Sequence, residues 1–173
     1  SSFYNTLYKG SWNANTIISM AIGQGELLLT PIQMANMTAI LANRGYYYTP
    51  HIVKKISGSD IDSNFTIKKY CSIEKKHFNS IVEGMRLVIH GKEGTATNSK
   101  LNEITICGKT GTAQNPHGKD HSIFIAFAPE NNPKIAIAVY VENGGWGSTW
   151  AAPIASLMIE KYLKQEITNI AQE

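Results

Sequence analysis

The chain has 173 residues, 43% hydrophobic and 17% charged, with 16 Lys and Arg against 13 Asp and Glu for a net charge of +3. That length suits one domain with a core of its own and is short for two, and the apolar content excludes a disordered chain. The small positive excess, with no basic stripe interleaved with aromatics, argues against a nucleic-acid partner, and no apolar run reaches the roughly 18 residues of a membrane span.

The opening SSFYNTLYKG carries neither Met nor a signal-peptide pattern, and reads as the continuation of something longer. TPIQMANMTAILANRG then predicts a helix: Thr30 as its cap, Pro31 at the first helical position, Gln33 completing a capping box and Gly45 closing it. It is apolar nearly all round (Ile32, Met34, Ala35, Met37, Ile40, Leu41), which predicts burial on every side. YYYTPHIVKKI and FTIKKYCSI read as extended segments separated by a turn-rich loop, SGSDIDSN. Phe78, Ile81, Val82, Met85, Val88 and Ile89 recur at helical spacing, and Gly91 and Gly94 end that helix.

Three strands follow, in ITICGKTGTAQN, HSIFIAFAP and KIAIAVYVENGG, with ENNP short enough for an antiparallel hairpin between the last two. The third strand is apolar on both faces, so both must be covered. STWAAPIASLMIEKYLKQEI, a closing helix, supplies one cover. The class is α+β, an antiparallel sheet with helices on both faces.

GKTGT is the candidate site. Lys109 can hold a carboxylate or lower the pKa of a neighbouring hydroxyl, Thr110 and Thr112 offer hydroxyl donors, and Gly111 allows close backbone approach. In a regular strand Lys109 and Gly111 face one way, Thr110 and Thr112 the other. One ligand meets all of them only along an exposed strand edge, where a peptide adds as an extra strand. Taken alone the triplet is weak, since a solvated strand end also explains a Lys-Thr pair.

Its company is specific. K-T-G stands with S-x-x-K and S-x-N in the active-site set of penicillin-binding proteins and class A β-lactamases. SMAIGQGELLLTPIQMANMTAILANRGYYYTPHIV, GKTGTAQN, FIAFAPENNPKIAIAVYVENGG and the closing helix, in that order, resemble class B penicillin-binding proteins of the elongation type, from about residue 12 to residue 163. The resemblance implies that residues 1–173 are the C-terminal part of one transpeptidase domain. The three strands would be the third to fifth of its sheet. The implied enzyme cross-links peptidoglycan stem peptides by serine acyl-enzyme chemistry on D-Ala-D-Ala, accepts β-lactam antibiotics as mimics of the donor peptide, and needs no cofactor or metal. Lys109 would contribute positive potential and a proton relay. Thr110 and Thr112, with Gly111 between them, would bind the donor carboxylate, and the Thr112 N–H would form one arm of an oxyanion hole. His121 would lie near the same edge. The cell-elongation machinery as partner, and a place on the periplasmic side of the inner membrane held by an N-terminal anchor, are implied in the same way.

The nucleophile has no counterpart here. Ser72-Ile73-Glu74-Lys75 matches S-x-x-K, but it lies 37 residues before Lys109 and reads as an ordinary helix N-cap at Ser72. Ser11-Trp12-Asn13 matches S-x-N by letters but precedes Ser72, reversing the order of the set. Residues 1–173 are therefore expected to be inactive alone, and KIAIAVYVENGG is expected to have an open edge. The alternative is a non-catalytic module that binds peptidoglycan peptides or a partner through the strand edge.

Lesser signals are structural. His117-Gly118-Lys119-Asp120-His121 has ligand-type residues but reads as the loop entering the second strand. GQGE lacks a nucleotide-binding fingerprint, and GGWGSTW reads as a turn and a helix start in preference to a sugar-stacking surface. Cys71 and Cys107 lie in different elements, either to pair or to stay as small buried hydrophobes.

Overall fold

A computed structural model of the chain describes residues 2–170, with side chains as far as Lys164. It divides into two compact units, Ser1–Thr30 and Pro31–Glu173. The first holds two short helices, α1 (Ser2–Tyr8) and α2 (Ala14–Ala21). Aromatic contacts organise it: Tyr4 stacks on Tyr8 at 6.2 Å and meets the Trp12 ring at 5.7 Å. The letters of S-x-N are used locally. Asn13 caps α2 in a reciprocal capping box with Thr16, Trp12 Nε1 donates to Asn5 Oδ1 at 2.8 Å, and Ser11 Oγ donates to the Tyr8 carbonyl.

The second unit opens with α3 (Pro31–Ala42), which begins at the predicted proline. Its chain turns at Gly45, where φ is +112° and the N–H returns to the Ile40 carbonyl at 2.9 Å. A Cβ there would also lie 3.3 Å from the Phe78 ring, so the conformation favours glycine and the ring leaves little room for anything larger. The expected burial of α3 on all sides is not what forms. Thr38 and Ala42 are buried against the rest, while Ile32 is 60% exposed, because a helix laid on a sheet touches it along one stripe.

The two extended segments shrink to a short ribbon, β1 (Tyr46–Tyr47) and β2 (Lys69–Tyr70), paired antiparallel with Tyr46 opposite Tyr70. Between them Asp62 caps a single helical turn, α4 (Ser63–Thr66), through Asn64 N–H. That cap draws Phe65 and Thr66 out of the extended run predicted for them. Helix α5 (Phe78–His90) buries Phe78, Val82, Met85 and Ile89 as the spacing predicts. Ser72 does not cap it. A 3₁₀ turn over Lys75–His77 precedes the helix with Glu74 ahead of it, and Ser72 sits further upstream in an exposed bend.

β3 (Cys107–Ala113), β4 (His121–Ala128) and β5 (Ile135–Val141) form one antiparallel sheet in that order. Cys107 lies opposite Phe127, Ala113 opposite His121, and Ala128 opposite Ile135. Helix α6 (Ala151–Ile170) closes the fold. The alternation of strand side chains sorts the core into two layers. Phe124, Ala126 and Ile137 pack with Ala152, Ala155 and Ile159 of α6, and Ile89 at the end of α5 joins them. On the other face Cys107 and Phe127 pack with Val82 and Met85 of α5 and Ala42 of α3. β5 pairs with β4 along one edge, and among the described residues no strand lies along its other edge. No described helix is long and apolar enough to cross a membrane.

Candidate active site along the edge of β3

β3 changes character along its length. Cys107 and Gly108 are buried, Lys109 is exposed, and Thr110 to Ala113 are half-buried. The apolar start is core and the polar end leaves it, so one strand carries both. Gly108 is sterically obligatory, since a Cβ would fall 2.3 Å from Cζ of Phe124. Lys109 and Gly111 lie opposite Ile125 and Ile123, while Thr110 and Thr112 lie opposite Phe124 and Ser122 on the other face. The sequence alternation therefore holds, and what the Lys109 and threonine groups share is the strand's backbone edge. Lys109 Nζ donates to the Thr110 carbonyl at 2.9 Å. The Thr110 hydroxyl lies 3.0 Å from the hydroxyl of Thr95.

Close backbone approach occurs beside Gly111, but the glycine that it demands is Gly147. A Cβ at 147 would meet the Ile123 and Gly111 carbonyl oxygens at 2.4 and 2.5 Å. At Gly111 itself the nearest atom to an added Cβ is Cβ of Ile123, at 3.3 Å. Ser122 fastens this crossing. Fully buried, its hydroxyl donates to the Trp146 carbonyl at 2.9 Å and accepts from Ala151 N–H at 3.1 Å, tying the start of α6 to β4. Asn98 Nδ2 donates to the Ser148 carbonyl from the loop after α5. Sequence reasoning missed Thr95, Ser122 and Gly147. A lone serine in the otherwise apolar SIFIAFA was the available signal for Ser122. GGWGSTW reads correctly as a turn leading into a helix, although Trp146 remains 73% exposed.

His121 opens β4 opposite Ala113, on the Lys109 face. Four residues separate it from Ile125, the partner of Lys109, or about 13 Å along the strand. Its Nδ1 accepts from Asn143 N–H at 3.0 Å, which leaves the proton of a neutral ring on Nε2, and its ring lies 5.2 Å from that of Tyr140. The residues before it form the expected loop. Asp120 accepts from Asn115 N–H at 3.1 Å, and Asn115 reaches Asn143 Oδ1 at 2.8 Å. Among the described residues no three His, Cys, Asp or Glu gather as a metal-binding group. Cys71 and Cys107 are both free thiols, the latter fully buried.

The comparisons with known proteins agree with this arrangement of strands and helices. The model of the penicillin-binding protein transpeptidase domain matches residues 4–160. The chain belongs to that family. It is 34% identical to the peptidoglycan D,D-transpeptidase MrdA of Haemophilus influenzae over 94% of its own length and 28% of the relative's. Penicillin-binding protein PBP2 of Pseudomonas aeruginosa, solved in complex with WCK 5153, superposes with a TM-score of 0.81 at 37% identity, over 94% of this chain and 35% of that one. Penicillin-binding protein A of Mycobacterium tuberculosis, solved as an imipenem acyl-enzyme, superposes at 0.72 with 30% identity, over 87% and 34%. The chain thus spans about a third or less of the proteins it matches. The α+β class and the antiparallel sheet packed by helices are those of the corresponding part of the family's transpeptidase structures.

Proposed function

We propose that residues 1–173 are the C-terminal part of a peptidoglycan D,D-transpeptidase domain and supply the donor-binding wall of its active site. The observation that carries this reading is β3, a strand running from core to surface with Lys109, Thr110 and Thr112 along one backbone edge in a chain of this family. In an antiparallel ladder alternate residues turn both main-chain groups outward. The Lys109 contact to the Thr110 carbonyl supports an outward direction for Thr110, and with a period of two for Thr112 as well. The Thr112 N–H would then meet the developing oxyanion, and the two hydroxyls the donor carboxylate, while Lys109 holds positive charge at the same edge. His121 flanks the far end of the strand. A β-lactam fits here as a rigid mimic of the donor peptide, in keeping with the imipenem acyl-enzyme of the mycobacterial relative.

The serine that attacks would lie outside residues 1–173. Ser72 is in an exposed bend and Lys75 in the 3₁₀ turn after it, so the two do not share a helical turn as an acylating S-x-x-K pair requires, and Ser11 and Asn13 are engaged at helix ends. Membership of the elongation machinery and a periplasmic, membrane-anchored location follow from the family reading.

The test uses the longest natural form of the polypeptide, treated with labelled penicillin, digested and mapped by mass. The expected adduct is on a serine outside residues 1–173, formed roughly a hundredfold more slowly in Lys109→Ala. An unlabelled but folded protein would favour a non-catalytic peptide-binding module. A label on Ser72 would mean that the nucleophile is within these residues after all.

A further inference from the structure

We infer that Thr95 is a positioning residue that orients the Thr110 hydroxyl toward the carboxylate of the donor, a deepening that rests on the carboxylate-binding role proposed for Thr110. The two hydroxyls lie 3.0 Å apart although 15 residues separate them in sequence. A hydroxyl has one proton to donate and two lone pairs to accept with. If Thr110 gives its proton to Thr95, none is left for a ligand. When a carboxylate arrives, Thr110 donates to it and accepts from Thr95, so the Thr95 proton fixes the direction of the pair. A hydroxyl held as an acceptor on one side is also polarised as a donor on the other.

The backbone around Thr95 is built to hold that position. Gly94 lies on the last turn of α5 so closely that a Cβ would fall 2.4 Å from the Val88 carbonyl oxygen. On the other side Ala96 is fully buried, and its N–H donates to that same carbonyl at 2.9 Å. Asn98 is tied to the Ser148 carbonyl, and the Ser99 carbonyl accepts from buried Ser156 of α6 at 2.8 Å. Thr95 itself is exposed between these anchors, so the surrounding core has no need of its methyl or hydroxyl. A side chain with no packing duty, held on a fixed backbone against the proposed ligand residue, is placed for recognition rather than for stability.

The experiment compares acylation of the longest natural form by a penicillin bearing its free carboxylate and by the methyl ester of the same penicillin. The variants are Thr95→Val, Thr95→Ser, Thr110→Val and the unaltered protein. The readout is the ratio of the two acylation rates. Thr95→Val is expected to lower the free-acid rate about fivefold to tenfold, the effect of one hydrogen bond between neutral hydroxyls, while leaving the ester rate and the melting temperature in place. Thr95→Ser, which keeps the hydroxyl, is expected to restore the ratio. Equal loss on acid and ester, or no loss in Thr95→Val while Thr110→Val discriminates, would overturn the Thr95 inference alone. No change of the ratio in Thr110→Val would overturn the carboxylate role of Thr110, and the inference built on it with it.

Discussion

Cys107 shows how one residue beside a site takes its chemistry from depth rather than from sequence neighbours. It stands two positions before Lys109, yet its side chain lies with Phe127, Val82 and Met85 in the core. Burial first, and the negative charge of Glu130 second, push its thiol from an ordinary 9.0 up to about 12. The folded thiol therefore keeps its proton where the unfolded one loses it. Its contribution to stability is complete below about pH 9 and is lost as the pH rises toward about 12. We expect iodoacetamide at pH 8 to modify half-buried Cys71 and leave Cys107 untouched until the protein unfolds. Thermal melting followed from pH 8 to 11 should fall less steeply in Cys107→Ala than in the unaltered protein. Rapid native labelling of Cys107 would contradict this picture.

At the scale of elements, the site depends on how two strands and a helix start are fastened together. β3 alone would present its polar end in no fixed relation to anything. Pairing with β4 fixes its register, and Ser122, opposite Thr112, bonds to the Trp146 carbonyl and the Ala151 N–H at the entrance to α6. Removing that hydroxyl leaves the buried Ala151 N–H unpaired, while the Trp146 carbonyl keeps the Thr149 N–H at 3.0 Å. Ser122→Ala is therefore expected to cost about 1–3 kcal/mol in urea unfolding. A loss below about 0.5 kcal/mol would show that water takes over the bond to the Ala151 N–H.

For the molecule as a whole, the sheet and its covering helices leave apolar surface open. β5 lacks a second partner strand among the described residues, and Leu157 and Met158 on α6 are 65% and 52% exposed. An open apolar edge is a template for another strand. Residues 1–173 expressed alone should accordingly self-associate in sedimentation velocity at micromolar concentration. Tyr140→Lys, which places a charge on the exposed part of that edge strand, should shift them toward monomer. They should also take up no labelled penicillin, and a stoichiometric label on this stretch alone would overturn the assignment of the nucleophile to another part of the domain.

The periodic features of this chain were legible in its sequence because each is a local consequence of residue type. The 3.6-residue spacing of Phe78, Val82, Met85 and Ile89 gives α5 its buried stripe, Pro31 starts α3, and the two-residue period puts Lys109 and Thr110 on opposite faces. The order of GKTGT, its hairpin and the closing helix was enough to carry the family. Contacts between distant residues decided the rest. Ser72 looked like a helix cap, but the chain enters α5 through a 3₁₀ turn instead. α3 looked buried all round, but burial needs a neighbour on every side, and only packing supplies one. Thr95 and Thr110 meet, and Gly147 crosses Gly111, through loops that no spacing rule connects. A hydroxyl's role depends on which atom faces it, and only the tertiary structure brings those atoms within 3 Å.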